Sequence, residues 1–192
     1  DLANGTAIVT SSARGEHSQE SQDLGGSFFT TYLISGFRGA ADLNGDGRIT
    51  LAEVYQYAFG RTVAGTAKTV AGVQHPTYDF KIAGKGDVVL AQVSQGSCAL
   101  VLGPECEGSF LVIDNARGEV VAEVSKPGGV HRRLALRPGA YTVTHQRAGG
   151  WFSQEVAVAA GETAELDPST MVEERGVAAV TKGNSRRRSG VE

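Results

Sequence analysis

The first ordered pattern in the chain is the run Thr6-Ala7-Ile8-Val9-Thr10, β-branched and apolar on both alternating sets of positions. Such a run predicts a strand buried on both faces of a mainly parallel sheet. A polar loop follows Ser11-Ser12. From Ser27, apolar residues at Phe28, Tyr32, Leu33 and Ile34 predict a helix with one apolar face, closed down by Gly36 and Gly39. Thr50-Leu51-Ala52-Glu53 has the form of a capping box, so a second helix is expected after Thr50, burying Val54, Tyr57, Ala58 and Phe59. Residues Thr62 to Thr77, rich in Ala, Gly and Thr, read as an ordered loop running into Gln74-His75-Pro76, and Asp87-Val88-Val89-Leu90 as a closing strand.

Near Gln95 the helical period disappears. Short strands are expected at Ser109–Asp114, Glu119–Val124, His131–Leu136, Gly139–Thr144 and Ser153–Val158, separated by turn residues at the spacing of a small all-β sandwich. The pattern divides the chain into an α/β portion over 1–94, a β-sandwich-like portion over 95–170 and a tail over 171–192. The whole tail over 171–192 is expected to be disordered and basic, with Lys182 to Glu192 surrounding Arg186-Arg187-Arg188 with Gly, Ser and Asn.

With 41% hydrophobic residues in 192, the chain can build a core and is expected to be soluble. A net charge of -3 gives no field that would attract nucleic acid or an anionic membrane. No apolar run approaches the roughly 20 residues of a membrane-spanning helix, and no signal peptide is evident. The compartment stays open between cytoplasm and periplasm. Because the chain starts at Asp1 rather than Met, a fragment or processed product is expected. Cys98 and Cys106 flank an apolar stretch and a Gly103-Pro104 turn, a spacing compatible either with one disulfide or with two separate thiols.

Asp42-Leu43-Asn44-Gly45-Asp46-Gly47-Arg48-Ile49-Thr50-Leu51-Ala52-Glu53 matches the EF-hand loop at each diagnostic place. A Ca²⁺ ion, which takes six to eight oxygens, would be served by Asp42, Asn44, Asp46, the Arg48 carbonyl, Thr50 (directly or through water) and bidentate Glu53. The same residues also describe a tight metal-free connection made of Asn-Gly and Asp-Gly turns running into a helix cap. Trp151-Phe152 after Gly149-Gly150 reads either as an aromatic binding tip or as the buried start of a strand.

The stretch Thr10-Ser11-Ser12-Ala13-Arg14-Gly15-Glu16-His17-Ser18-Gln19-Glu20, then Gly25-Gly26-Ser27-Phe28-Phe29-Thr30, then Gly36-Phe37-Arg38-Gly39-Ala40-Ala41-Asp42 resembles the caspase, metacaspase and bacterial caspase-like cysteine peptidases over about residues 1–90. The resemblance implies the C-terminal, small-subunit-like part of a caspase-like sheet with flanking helices. It also implies a nucleophilic Cys and a general-base His on earlier strands, in an upstream large-subunit-like segment. Neither has a counterpart here, since Cys98 and Cys106 lie past the matching region and His17 and His75 have no Cys in frame. From the metacaspases the resemblance implies recognition of Arg or Lys before the cleaved bond of a peptide or protein substrate, with Glu20 as the pocket acid, Ser18 and Gln19 beside it and Glu16 as the competing acid. Some metacaspases require calcium, and Arg186-Arg187-Arg188 would suit such a specificity as a cleavage site. Arg137-Pro138-Gly139-Ala140-Tyr141 is similar to the turn and strand of carboxypeptidase-regulatory and PEGA-type modules. Three functions follow as expectations: part of a caspase-like endopeptidase, inactive without the upstream segment; a calcium-binding interaction module; or a dead pseudo-peptidase.

Overall fold

The computed structural model describes residues 4–84, 86–95, 98–147 and 150–174. Strand accounts for 44% and helix for 19%, which makes this a sheet-rich α/β fold. In chain order the elements are β1 (Asn4–Thr10), β2 (Glu20–Ser21), β3 (Gly26–Ser27), α1 (Phe28–Ser35), a π-type turn (Gly36–Ala40), β4 (Arg48–Thr50), α2 (Leu51–Thr66), β5 (Thr77–Ala83) and β6 (Val89–Gln92). A 3-10 turn (Val93–Gln95) leads to β7 (Ala99–Leu102), β8 (Gly108–Asp114), β9 (Glu119–Lys126), β10 (Arg132–Ala135), β11 (Gly139–Arg147), β12 (Gly150–Val158), β13 (Thr163–Leu166) and β14 (Val172–Glu174).

Both helix starts follow from local chemistry. The Ser27 side chain accepts the Thr30 N–H to cap α1. At α2 the Thr50 hydroxyl accepts the Glu53 N–H while the Glu53 carboxylate accepts the Thr50 N–H, completing the capping box. The buried face of α1 differs from its expected stripe: Phe28, Phe29, Tyr32 and Ser35 face inward, while Ile34 is 43% exposed. Gly36 and Gly39 do not stop the chain there. It continues through the π-type turn, in which Gly39 takes a φ of 123°. The segment 62–77 is no loop throughout, because α2 runs on to Thr66, where the Thr66 hydroxyl donates to the Thr62 carbonyl, and β5 begins at Thr77. The closing strand forms as β6, shifted two residues from the expected 87–90.

β1 forms where expected, but not in a mainly parallel sheet. It pairs antiparallel with β5 over Asn4–Thr10 and Ala83–Thr77 in a two-stranded ribbon that is largely exposed. Among the described residues only β7 and β13 pair in parallel. Parallel sheets are covered on both faces, and this ribbon is not: residues 5–8 of β1 and most of β5 are exposed.

The expected strands of the second half form as β8 to β12, joined by β7, β13 and β14, which the pattern missed. They make a five-stranded sheet, ordered β14-β12-β11-β8-β9, and a three-stranded one, ordered β10-β7-β13. Leu100, Leu102, Phe110, Val112, Val124, Leu134, Val143 and Leu166 are fully buried between them. Cys98 and Cys106 are buried thiols. Cys98 Sγ accepts the Gly161 N–H at 3.3 Å, while Cys106 Sγ lies 3.9 Å from the Leu166 carbonyl oxygen. The basic tail from Arg175 onward, including Arg186-Arg187-Arg188, lies outside the described residues.

One core joins the helices to the β portion. Across the seam, Ser35 Oγ accepts the Glu123 N–H at 2.9 Å, the Tyr57 hydroxyl donates to the Glu123 carbonyl, and an Arg38 guanidinium N–H donates to the Val121 carbonyl. Burial pushes the Tyr57 phenol up to about 12. Its ordinary value is 10, so between these two pH values the unfolded chain gives up this proton and the folded chain retains it. Stability is therefore intact below pH 10 and lost as pH rises toward 12, by up to about 1.4 kcal/mol per pH unit for this group. Urea unfolding followed across that window should show a shallower decline in Tyr57→Phe, although the slope does not vanish, because burial also raises Tyr32, Tyr55 and Tyr141.

Candidate functional site

The loop between β1 and α1 holds the four residues expected to form a substrate pocket. Gln19 is its anchor: its N–H donates to Gln74 Oε1 at 2.8 Å, its Nε2 donates to the Gly72 carbonyl at 2.7 Å, and its carbonyl accepts the Phe28 N–H. Gln74 is fully buried and in turn donates to the Ser11 carbonyl, so one amide ties the loop to the chain leaving α2. Ser18 is exposed, its hydroxyl in contact with those of Ser11 and Ser12.

The two acids differ in their commitments. Glu16 accepts the His75 N–H and contacts His75 Nδ1, both at 2.7 Å, and also accepts the Ala13 N–H. The His75 backbone N–H first, and its ring second, hold the Glu16 carboxyl below the usual carboxylate range. Glu20 is exposed at the start of β2, opposite Ser27 of β3, and among the described residues no hydrogen bond or ion pair engages its carboxylate. Glu16 therefore acts as an internal tether, and Glu20 is the acid left available to a ligand.

Beside this loop a cavity of about 330 Å³ is lined by Ser21, Asp23, Tyr32, Arg61, Glu123 and Trp151, among others. Arg61 pairs with Glu123, which is only 7% exposed, and lies over the Tyr32 ring at 5.5 Å. Trp151 is 44% exposed, which sets aside its reading as a buried strand start, while Phe152 is half-buried under the Arg147 guanidinium at 4.9 Å.

In the acidic turn most side-chain oxygens serve the turn's own amides. Asp42, 5% exposed, accepts the N–H of Gly45 at 2.9 Å and of Gly47 at 3.1 Å; Asn44 accepts from Asp46, and Asp46 from Arg48. Gly45 and Gly47 take φ of 76° and 77°, conformations that other residues adopt only with strain. Ile49 is fully buried, and β4 pairs with β6. Asn44, Asp46, Arg48, Thr50 and Glu53 line one cavity of about 530 Å³, joined there by Asp87, an acid that the loop pattern did not include. These are hard oxygen donors of the kind Ca²⁺ takes. Among the described residues no three His, Cys, Asp or Glu side chains are gathered as a metal-holding group.

A buried cation lies beside this region. Burial lowers the pKa of Arg132, 3% exposed, and the Asp42 and Glu53 carboxylates oppose that by favouring its charge. Nothing in the sequence pattern marked Arg132, Glu123 or Gln74. Each is a polar residue whose partners come from remote segments.

No family model, curated protein or solved structure matches this chain. No helix among the described residues is long and apolar enough to cross a membrane.

Proposed function

We propose that this chain is the small-subunit-like portion of a caspase-like cysteine endopeptidase, with Glu20 placed to receive an Arg or Lys side chain before the cleaved bond. The supporting observation is the β1–β5 ribbon. Ile8, Tyr78 and Ile82 are 52%, 57% and 39% exposed, and the ribbon borders an apolar cavity of about 320 Å³ lined by Ala7, Val9, Leu51, Val88 and Leu90 among others. A two-stranded ribbon is marginal in water, and an apolar strand with an open edge is a template for further pairing. Here the further strands come from an upstream segment that carries the catalytic Cys and His. In that segment the His takes the proton of the Cys thiol, the thiolate attacks the scissile carbonyl, and the C–N bond breaks with the amine leaving as it regains that proton, giving an acyl-enzyme. This chain contributes the pocket wall: the Glu20 carboxylate pairs with a guanidinium or ammonium through charge-assisted hydrogen bonds, and Gln19 and Ser18 hold the loop that presents it.

A calcium role for the acidic turn is the second reading, favoured by the oxygen-lined cavity. Asn44, Asp46, Thr50 and Glu53 would hold the ion with Asp42 and the Arg48 carbonyl, and it would supply positive charge that stiffens the start of α2. In the absence of peptidase activity, that turn and the β portion would make a calcium-binding interaction module.

Both readings are tested by joining this chain to its upstream segment and assaying fluorogenic peptides ending in Arg, Lys or Asp, with and without Ca²⁺. Cleavage after Arg or Lys is expected, falling at least about tenfold in Glu20→Ala, the scale of one lost charge-assisted contact. Cleavage that survives Glu20→Ala unchanged removes Glu20 from the pocket. Absence of cleavage together with Ca²⁺ binding by calorimetry favours the module, and absence of both leaves a pseudo-peptidase.

A further inference from the structure

We propose that the cleft between the turn after α1 and the β portion is a binding site for an oxyanion of the phosphate type. The cleft is a cavity of about 200 Å³ lined by Arg38, Asp114, Val121, Leu136, Arg137 and Tyr141. That is smaller than the roughly 300–1,000 Å³ of pockets for drug-sized ligands, and it suits a phosphate group better than a whole nucleotide.

Charge balance points to the ligand. Arg38 comes from the π-type turn, and Arg137 from the connection between β10 and β11. Both residues line one small space, and the Arg137 charge is close enough to act on Arg38. Asp114 is the carboxylate on the wall, and one of its oxygens already accepts the Ala116 N–H at 2.9 Å. Within the lining two guanidiniums stand against one carboxylate, and outside it the Arg117 charge is accompanied by Glu119, the cross-strand partner of Asp114, so the cleft keeps an excess of positive charge that an oxyanion answers.

The donors are also in place. Arg38 spends one N–H on the Val121 carbonyl, leaving most of its five for a ligand. Among the described residues no acceptor engages the Arg137 guanidinium. The Tyr141 hydroxyl donates to the Arg137 carbonyl at 2.8 Å, fixing the backbone from which that side chain projects. Burial first, and then the Arg137 charge, disfavour the charged form of Arg38, and an oxyanion between the two guanidiniums relieves both effects. One guanidinium fork pairs with two oxygens of a carboxylate or of a phosphate alike, but only the phosphate type has further oxygens for a second guanidinium.

The test uses the whole chain and titration calorimetry at constant ionic strength with inorganic phosphate, O-phosphoserine, acetate and chloride. Phosphate or phosphoserine should bind at least about tenfold more tightly than acetate, and the preferred one of the two identifies free phosphate or a phosphorylated ligand as the source. Arg137→Ala, at an exposed position, should fold normally and weaken phosphate binding about tenfold or more, while Arg14→Ala, in the exposed loop after β1 and outside the cleft's lining, should change it less than about twofold. Arg38→Lys keeps the charge but loses the fork and should weaken binding as well. Phosphate binding no tighter than acetate, or undiminished in Arg137→Ala, overturns the proposal. It stands independently of the peptidase reading.

Discussion

Gly39→Ala is expected to be among the most damaging single substitutions in this chain, lowering stability by about 3 kcal/mol or more. Two effects add. Gly39 has a φ of 123°, a backbone conformation that an L side chain takes only with strain, and a Cβ built there falls 2.0 Å from the Arg133 carbonyl oxygen. The obstacle is backbone, so no side-chain rotation relieves it. Arg133 belongs to β10, which pairs with β7 through Leu134 and Leu100, and moving it would pull apart the fully buried centre of the β portion. Urea unfolding should show a lower midpoint with an unchanged slope if the fold persists. Gly60→Ala is the control: Gly60 lies in α2 with nothing within 4 Å of a built Cβ, so alanine there should stabilise by roughly 0.5–1 kcal/mol through helix propensity. If Gly39→Ala is as stable as wild type, the turn does not press against β10 as described.

The second large effect is expected at Arg61. Removing its guanidinium leaves the Glu123 carboxylate in a site only 7% exposed without its ion-pair partner. Breaking a buried pair from one side costs about 3–5 kcal/mol; the Arg61 side chain is 25% exposed, which places this case at the lower end of that range. The lost stacking over Tyr32 adds up to about 1 kcal/mol. Arg61→Met combined with Glu123→Gln should regain much of the loss, because the carboxylate's burial penalty disappears together with its partner. A double-mutant cycle in chemical denaturation measures this directly, and a coupling near zero would mean that the pair is solvated and contributes nothing. Glu123 also binds α1 and α2 through its backbone, so the double variant retains those two contacts.

Some of this was legible from neighbouring residues alone. Thr50 and Glu53 announced the start of α2 because a capping box is settled within four residues, and Ser27 did the same for α1. Apolar alternation located β8, β9, β11 and β12, whose inward positions Phe110, Val112, Val124 and Val143 are fully buried. The pattern failed at β5, where Asp79 and Lys81 interrupt the apolar run: the expected loop ended at Thr77, and 78–83 received no element. It also failed at β7, where four apolar residues between two cysteines looked like the arm of a disulfide loop, although Leu100 and Leu102 are central core residues.

The candidate site divides along the same line. The sequence alone determined that an oxygen-rich turn stands before α2, that two acids share the loop before α1, and that β-forming segments dominate the second half, since each rests on residue types at short spacing. Only the tertiary structure decided that His75 occupies Glu16 and leaves Glu20 available, that Gln74 anchors the loop through Gln19, that Arg132 balances the acidic turn, and that Arg38 and Arg137 share one cleft. Charges and buried amides acquire partners through the packing of remote segments. The free energy that settles their roles is Coulombic and solvational, and both parts depend on distances that no local pattern contains.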